Sequence, residues 1–182
     1  MRLSAAADSI SYWWEEEFSK EQPLAPTPGM QATLSYRPLS LCLRVEKAMA
    51  DTDVAIALMA AMQAGCRVQI SAAAARPWVV TFAEQYNVPL TVESRSAFEA
   101  DFHALAAAGV TVRDPAAQED TLARAAEAGL PLITQSVLAN GRLELLNVLC
   151  TMYYVLWINN GGLRPRSVAA TGGMCVSTPA RV

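Results

Sequence analysis

The sequence is poor in the residues from which metal sites and nucleophilic sites are commonly built. It has one histidine, His103, and four cysteines with no CxxC pair among them. A structural zinc site usually needs such ligands in close pairs, so this spacing argues against one. We interpret the cysteines as reduced, partly buried core residues, and the sequence leaves disulfides open as the alternative. They are Cys42, Cys66, Cys150 and Cys175.

Charge is also scarce, because only 17% of the residues are charged and the net charge is −3. No basic cluster stands out, so a nucleic-acid partner is not expected. No apolar run reaches the eighteen or so residues of a membrane span, and the acidic, aromatic N-terminus does not resemble a signal peptide. We therefore expect a cytoplasmic protein. Low charge combined with abundant alanine predicts an apolar surface that contacts another subunit or domain.

The chain lacks a glycine-rich turn between a strand and a helix, which a dinucleotide site in an α/β sheet usually needs. Gly65, Gly109 and Gly129 each lie where a predicted helix ends, and termination of these helices explains them better than a dinucleotide-binding turn does. Two further glycine pairs, at 161–162 and 172–173, precede no convincing helix, so we interpret them as a turn and a tail. The sequence therefore predicts no cofactor site in this chain.

No catalytic group is evident either. His103 lies within a predicted helix beside apolar residues, which favours a surface or hydrogen-bonded histidine over a general base. Cys42 and Cys150 have no recognisable neighbour that would activate a thiol. The carboxylates of Glu15 to Glu17 form an acidic helix face, which we interpret as a solvent-exposed surface and not as a metal-binding site. The sequence thus predicts neither catalytic nor metal-binding residues.

Strand patterns alternate with helix patterns along the middle of the chain. A short helix within 9–19 is followed by a connector at 20–29 with three prolines. Strands are predicted at 39–45, 67–71, 88–93, 110–114 and 131–135, and helices at 51–64, 77–86, 94–108 and 115–128. This alternation predicts an α/β fold with a mostly parallel sheet and helices on both faces.

The last third is less regular, with a tight turn at Asn140-Gly141, a short helix within 138–149 and a strand-like stretch at 153–158. We divide the chain into an N-terminal helix and proline-rich connector at 1–30, an α/β domain at 31–160, and a flexible tail at 161–182. The most specific polar group is formed by Asn140, Gly141, Arg142 and Glu144, which we expect to fix the turn or make a contact. Trp13 and Trp14 of the N-terminal helix are further candidate contact residues.

Three stretches together resemble one family: SYWWEEEFSKE at 11–21, LSYRPLSLCLRV at 34–45 and SVLANGRLELLNVL at 136–149. The intervening segments MAAMQAGCRVQIS and VPLTVES fit the same order, so the likeness covers most of residues 9–149. The sequence resembles the region that follows the catalytic module in long glutamate-semialdehyde (pyrroline-5-carboxylate) dehydrogenases. It is similar also to the corresponding region of bifunctional enzymes that carry a flavin-dependent proline dehydrogenase module.

This resemblance implies a three-layer, Rossmann-like fold similar to the nucleotide-binding part of aldehyde dehydrogenases. It implies a role in assembly or in enclosing the tunnel between two active sites, with NAD and FAD bound by the parent modules. The family's catalytic cysteine, activating glutamate and cofactor motif have no counterpart here, so no catalytic residue is carried over. The tail departs from the family pattern, since MYYVLWINNGGLRPRS at 152–167 keeps only its glycines.

The leading hypothesis is a non-catalytic domain, as a fragment or split subunit, that docks on a dehydrogenase module of proline catabolism or associates with itself. The alternative is an independent α/β domain that binds or converts a small molecule at the carboxyl ends of its strands. That alternative predicts a deep pocket with converging polar groups. A third reading, a degenerate product that has lost its partner, predicts poor solubility and exposed apolar patches.

Overall fold

A computed structural model describes residues 1–24, 30–159 and 162–168, with only the backbone at residue 30 and beyond residue 155. The helices are α1 (Arg2–Trp13), a π-helical turn (Trp14–Phe18), α2 (Asp51–Gln63), α3 (Pro77–Tyr86), α4 (Arg95–Ala100), α5 (Phe102–Ala107), α6 (Glu119–Glu127) and α7 (Gly141–Leu146). The strands are β1 (Gln22–Pro23), β2 (Met30–Pro38), β3 (Ser40–Val45), β4 (Arg67–Ala72), β5 (Leu90–Val92), β6 (Thr111–Arg113), β7 (Leu132–Ile133), β8 (Leu149–Asn159) and β9 (Gly162–Val168).

A parallel sheet of five strands in the order β5-β4-β3-β6-β7 forms the centre of the fold. Strand β3 is central and is buried along nearly its whole length, which is typical of a parallel strand with both faces covered. Leu41, Leu43 and Val45 point toward the side of α1, α2, α3 and α7. Cys42 packs on the opposite side with Phe98 of α4 and residues of α5 and α6. The predicted α/β class with helices on both faces is confirmed.

The order of the strands creates a switch point between β3 and β6. The chain runs outward from β3 to β4 and β5, and later returns to place β6 and β7 on the other side of β3. In open α/β sheets, ligands bind in the crevice at the carboxyl ends of the strands where this reversal occurs. The ends of β3 and β6 therefore mark the place to look for a site.

A second, antiparallel sheet in the order β1-β2-β8-β9 was not predicted. Strand β2 pairs with β8 along its full length, from Met30 opposite Trp157 to Pro38 opposite Leu149. Strand β8 is longer than the predicted 153–158, because its pairing with β2 begins at Leu149. Residues 162–168 of the predicted tail form β9 against β8, while residues 25–29, 160–161 and 169–182 lie outside the described part.

Several predicted boundaries were wrong in ways that have local causes. Helix α1 begins at Arg2, well before residue 9, because Ala6 and Ile10 are buried against the neighbouring helices. The helix predicted over 94–108 is divided at Asp101 into α4 and α5. Helix α6 begins at Glu119 and not at Pro115, because the backbone N–H of Ala116 instead donates to Asp114.

The glycines at three helix ends adopt the predicted role. Gly65, Gly109 and Gly129 have φ angles of 74°, 67° and 67°, in the left-handed region that glycine enters without steric cost. Asn87, which ends α3, is the remaining described residue with positive φ. These residues terminate helices and lie away from the carboxyl edge of the sheet.

Candidate functional site

A cleft of about 990 Å³ lies at the carboxyl edge of the parallel sheet. Its walls come from the segments after β3 and β5, the start of α4, and the segment that leads into α6. Most of its polar side chains are charged, namely Arg44, Glu46, Lys47, Glu93, Arg95, Glu99 and Asp120. The cleft combines a switch-point location with converging polar groups, so it is the candidate functional site.

Arg44 forms the floor of this cleft and is fully buried. Its Nε donates to Oε1 of Glu46 over 2.8 Å, and its Nη1 donates to Ser71 Oγ over 2.7 Å. The Ser71 hydroxyl in turn donates to Oε1 of Glu93 over 2.6 Å. The guanidinium also lies over the Phe98 ring, 5.0 Å from its centroid. Charged hydrogen bonds and a cation–π contact together offset the cost of burying this cation.

Arg95, the first residue of α4, bridges the ends of β3 and β6. Its Nη2 lies 2.9 Å from Oε1 of Glu46, and its Nη1 pairs with Oδ2 of the fully buried Asp114. Burial lowers the pKa of Arg95, but the hydrogen bond and the charge of Asp114 outweigh burial and raise it. The guanidinium therefore stays charged, and the switch point is crossed by a Glu46–Arg95–Asp114 bridge.

The far wall of the cleft is held by a second ion pair. Glu99 accepts from Thr121 Oγ1 over 2.7 Å and from Arg124 Nη1 over 2.9 Å. Both carboxylate oxygens of Glu99 are thus occupied, and its side chain is only 8% exposed. This pair joins α4 to α6 and fixes the width of the cleft.

The turns that enter the cleft do not provide a glycine-rich phosphate cradle. The segment from β3 to α2 reads Glu-Lys-Ala-Met-Ala, and the segment from β4 to α3 reads Ala-Ala-Ala-Arg. Arg76 ties these two segments together, because its Nη2 donates to the carbonyls of Glu46 and Met49 over 2.8 and 2.7 Å. Every residue in both turns carries a Cβ, so the backbone has less access to a pyrophosphate than a glycine-rich turn provides.

The polar group predicted around Asn140 lies elsewhere, on the opposite side of the parallel sheet. Asn140 caps α7 by accepting from the backbone N–H groups of Arg142 and Leu143, as N-cap residues commonly do. The Gly141 N–H donates to Ser9 Oγ over 2.9 Å. A Cβ on Gly141 would lie 2.3 Å from the backbone N of Ile10. These residues seat α7 directly on α1.

Arg142 joins α7 to the N-terminal helical segment. Its Nε and Nη2 donate to the two carboxylate oxygens of Glu17 over 2.6 and 2.9 Å, a paired geometry that adds strength and direction. The Tyr36 hydroxyl donates to the same carboxylate over 3.3 Å. These bonds, the Arg142 bond first, hold the pKa of Glu17 below its usual value. Burial and the Glu17 charge raise the pKa of Tyr36.

Glu144 and the two predicted tryptophans complete this region. Glu144 is fully buried, accepts from the Leu138 N–H over 2.7 Å, and pairs with the buried Arg113 at 2.6 Å. Trp13 and Trp14, predicted as contact residues, are half-buried against the core of this chain. The Arg142 guanidinium lies 5.6 Å from the centroid of the Trp13 ring. All six predicted candidates lie on the side of the fold formed by α1 and α7, away from the cleft.

The remaining candidates behave as ordinary structural residues. Cys42 is buried and Cys66 and Cys150 are half-buried; Cys175 lies outside the described residues. Burial raises the pKa of Cys42 and of Cys66 to about 11, which disfavours their reactive thiolate forms. His103 is exposed on α5. Within the described ranges no cluster of three or more metal-ligating side chains occurs, and none of the helices there has the length and apolarity to cross a bilayer.

The residues of the cleft were missed by sequence reasoning, although one signal was available. Arg44 and Glu46 close an apolar strand, Glu93 follows another, and Asp114 follows a third. Polar residues at the carboxyl ends of successive parallel strands meet at one edge of the sheet. That rule points to the cleft once the sheet is predicted, whereas the pairing of Arg95 with two strand ends requires the structure.

Comparison with known proteins finds likeness at the level of structure. No family model matches the chain, and no curated protein matches it. It resembles proline utilization A from Corynebacterium freiburgense, with a TM-score of 0.56 and 20% identity, over 87% of this chain and 14% of that protein. Histidinol dehydrogenase from Elizabethkingia anophelis gives a TM-score of 0.54 and 12% identity, over 72% of this chain and 34% of that protein.

An aldehyde dehydrogenase from Brucella melitensis biovar abortus 2308 matches with a TM-score of 0.50 and 15% identity, over 70% of this chain and 29% of that protein. The chain therefore spans at most 34% of the length of these three proteins. Likeness at such identities concerns the fold alone. This chain has an aldehyde-dehydrogenase-like α/β fold.

Proposed function

We propose that this chain is a non-catalytic C-terminal domain, as a fragment or split subunit, of a glutamate-semialdehyde dehydrogenase of proline catabolism. It supports assembly or encloses the substrate tunnel, and binds no cofactor itself. The observation that carries this proposal is the Glu46–Arg95–Asp114 bridge. The bridge crosses the switch point between β3 and β6, where an α/β nucleotide site of this class would receive its ligand.

Two further features support the lack of a dinucleotide site. The turns after β3 and β4 contain no glycine, so their backbones approach a pyrophosphate less closely. Helix α4, which enters the cleft, has only six residues, and its first residue already engages two carboxylates. The likeness to proline utilization A over most of this chain supports the placement within proline catabolism.

The antiparallel sheet is the surface through which we expect docking. Alternation along β2 and β8 places Ala32, Leu34 and Tyr36 on the same face as Tyr153 and Val155. We call these five residues the apolar sheet face; all are half-buried. Tyr36 packs its ring on Phe18, with centroids 4.7 Å apart. An apolar face of this kind is typical of surfaces that meet another subunit.

The test is to mix this chain with a proline dehydrogenase and semialdehyde dehydrogenase module that lacks its C-terminal region, and to measure the size of the product by light scattering. We expect a stable complex of defined stoichiometry. Independent migration of the two proteins at tens of micromolar would contradict docking. Self-association of this chain alone would retain the assembly role and change the partner.

A second candidate function is an independent domain that binds a small molecule. The observation in its favour is the cleft itself, which has the volume of a ligand site and converging polar side chains. This function predicts saturable binding of a ligand by the isolated chain in the absence of any partner. The two candidates are therefore distinguished by two measurements: ligand binding by the isolated chain, and formation of a complex with the dehydrogenase module.

A further inference from the structure

The charged side chains of the cleft are of both signs, and they differ in how completely they are paired. Three lining residues are basic and four are acidic: Arg44, Lys47 and Arg95 against Glu46, Glu93, Glu99 and Asp120. The two guanidiniums are engaged by carboxylates, a hydroxyl and a carbonyl. The Lys47 ammonium has no partner within the described part of the chain, and its side chain is exposed.

Two acidic side chains of the cleft each have one carboxylate oxygen that accepts no hydrogen bond from the described residues. Glu46 uses only its Oε1, which accepts from Arg44 and Arg95. Glu93 uses only its Oε1, which accepts from Ser71. The Oε2 atoms of both carboxylates are without a hydrogen-bond partner among the described residues, and neither is among the buried unpaired atoms. Both atoms are therefore accessible acceptors.

These two acceptors lie on either side of one guanidinium. Arg44 donates directly to Glu46 and reaches Glu93 through Ser71, and it also donates to the Glu93 carbonyl over 3.3 Å. Glu46 and Glu93 are thus both linked to Arg44, and both line the cleft. Lys47 follows Glu46 directly in the chain, and it lines the same cleft as an unpaired cation.

This arrangement selects among ligand charges. A phosphate or dicarboxylate would meet the open oxygens of Glu46 and Glu93 and the Asp120 carboxylate, against one unpaired cation, so it is disfavoured. A simple amine would gain the two acceptors but would be repelled by Lys47. A molecule that carries both an ammonium and a carboxylate satisfies all three groups. We propose that the cleft binds a small zwitterion, with its ammonium on Glu46 and Glu93 and its carboxylate on Lys47.

The apolar lining fits the connecting carbons of such a ligand. Val92, at the end of the edge strand β5, is 52% exposed and lines the cleft together with Ala48, Ala73 and Ala116. These side chains contain no polar atoms, so they contact methylene groups at no cost in hydrogen bonds. The proposal concerns the isolated chain and does not depend on docking to a dehydrogenase module.

The test is a calorimetric titration of the full chain with 4-aminobutanoate, alongside butylammonium and butanoate as matched ligands that each lack one charge. The zwitterion is expected to bind at least about tenfold more tightly than either matched ligand, since each loses one of the two ionic contacts. Equal affinity for butylammonium or for butanoate, or no binding of 4-aminobutanoate at all, would overturn the proposal.

Three variants test whether the ligand binds at the assigned residues. Lys47→Gln removes the unpaired cation and is expected to weaken 4-aminobutanoate binding at least about fivefold while butylammonium binding stays the same or strengthens. Glu93→Gln is expected to weaken the binding of both 4-aminobutanoate and butylammonium. Lys20→Gln, a change in an exposed pair with Glu16, is the matched control and should leave binding unchanged. Unchanged zwitterion affinity in Lys47→Gln, with an unchanged circular dichroism spectrum, would contradict the assigned site.

Discussion

At Gly141 the backbones of α1 and α7 approach so closely that a side chain has no room. Its ideal Cβ position lies 2.3 Å from two backbone atoms, Ser9 C and Ile10 N. Backbone atoms within a helix cannot rotate away as the end of a side chain can. The packing of the N-terminal helical segment on α7 therefore depends on a few single residues. These are Ser9 and Glu17 on one side and Gly141 and Arg142 on the other.

Gly141→Ala is therefore expected to destabilise the chain by roughly 2–3 kcal/mol, in the upper range of overpacking effects. Chemical denaturation with circular dichroism measures the loss. Gly129→Ala is the matched control: Gly129 has φ of 67° but open space around its Cβ position, so only backbone strain of about 1 kcal/mol is expected. An equal or smaller loss at Gly141 would contradict the close helix contact.

The Glu17–Arg142 pair predicts a pH dependence. The bond from Arg142 lowers the pKa of Glu17 below its ordinary 4.5, so the folded state binds this proton less readily than the unfolded state does. Glu17 therefore contributes stability above pH 4.5 that is lost as pH falls through its folded pKa. Glu17→Gln should cost about 1 kcal/mol near pH 7, a modest figure because Arg142 is 43% exposed.

The measurement is the difference in unfolding free energy between the wild type and Glu17→Gln across pH 3 to 7. The difference should shrink as the pH falls below 4.5. Glu16→Gln, in an exposed pair with Lys20, is the control and should show little difference at any pH. A constant difference for Glu17→Gln would indicate that its charge does not stabilise the fold.

At the scale of elements, the parallel sheet followed from the sequence better than the antiparallel one. Strands such as β3 and β4 are short apolar runs that end near turns, and their burial on both faces follows from that composition. Strand β2 has the weaker signal of alternation, with Ala32, Leu34 and Tyr36 separated by polar residues. Its partner β8 is more than a hundred residues away, and no local pattern identifies such a pairing.

The candidate functional residues show the same contrast between local signals, which were predictable, and contacts between distant parts of the chain, which were not. The cap by Asn140 was predictable, because Asn before a helical run is a local signal. The edge of the sheet at which the cleft lies was predictable from its polar strand ends, but the pairing within it was not, because Arg44, Arg95 and Asp114 belong to three separate parts of the chain that only the sheet order brings together. Glu144 was expected to fix the turn or make a contact, but its partner Arg113, on a separate strand, could not be identified from the sequence.

The two faces of β2 provide an element-scale test of docking. Leu34 lies on the apolar sheet face, and its neighbour Ser35 points to the opposite face. Both are half-buried, and threonine is well accepted in strands. Leu34→Thr is expected to weaken the complex with the truncated dehydrogenase module about tenfold, measured by calorimetry, whereas Ser35→Thr should leave it unchanged. Equal affinities for both variants would remove the apolar sheet face as the docking surface.

At the scale of the whole molecule, the fold is aldehyde-dehydrogenase-like, while the switch point is occupied by the protein's own side chains. The Glu46–Arg95–Asp114 bridge joins the two strand ends between which a nucleotide would enter. We expect the isolated chain to show no saturable binding of NAD in a fluorescence titration up to millimolar concentration. Saturable binding with a micromolar dissociation constant would contradict the cofactor-free account.

The most direct test of the central claim is coupled turnover from proline to glutamate by a module that lacks its C-terminal region, measured with and without this chain. The account predicts that adding this chain raises the coupled rate and shortens the lag before NADH appears, while the separate rates of the two active sites change little. An unchanged lag and unchanged coupled rate at saturating concentrations of this chain would contradict a role in assembly or tunnel enclosure.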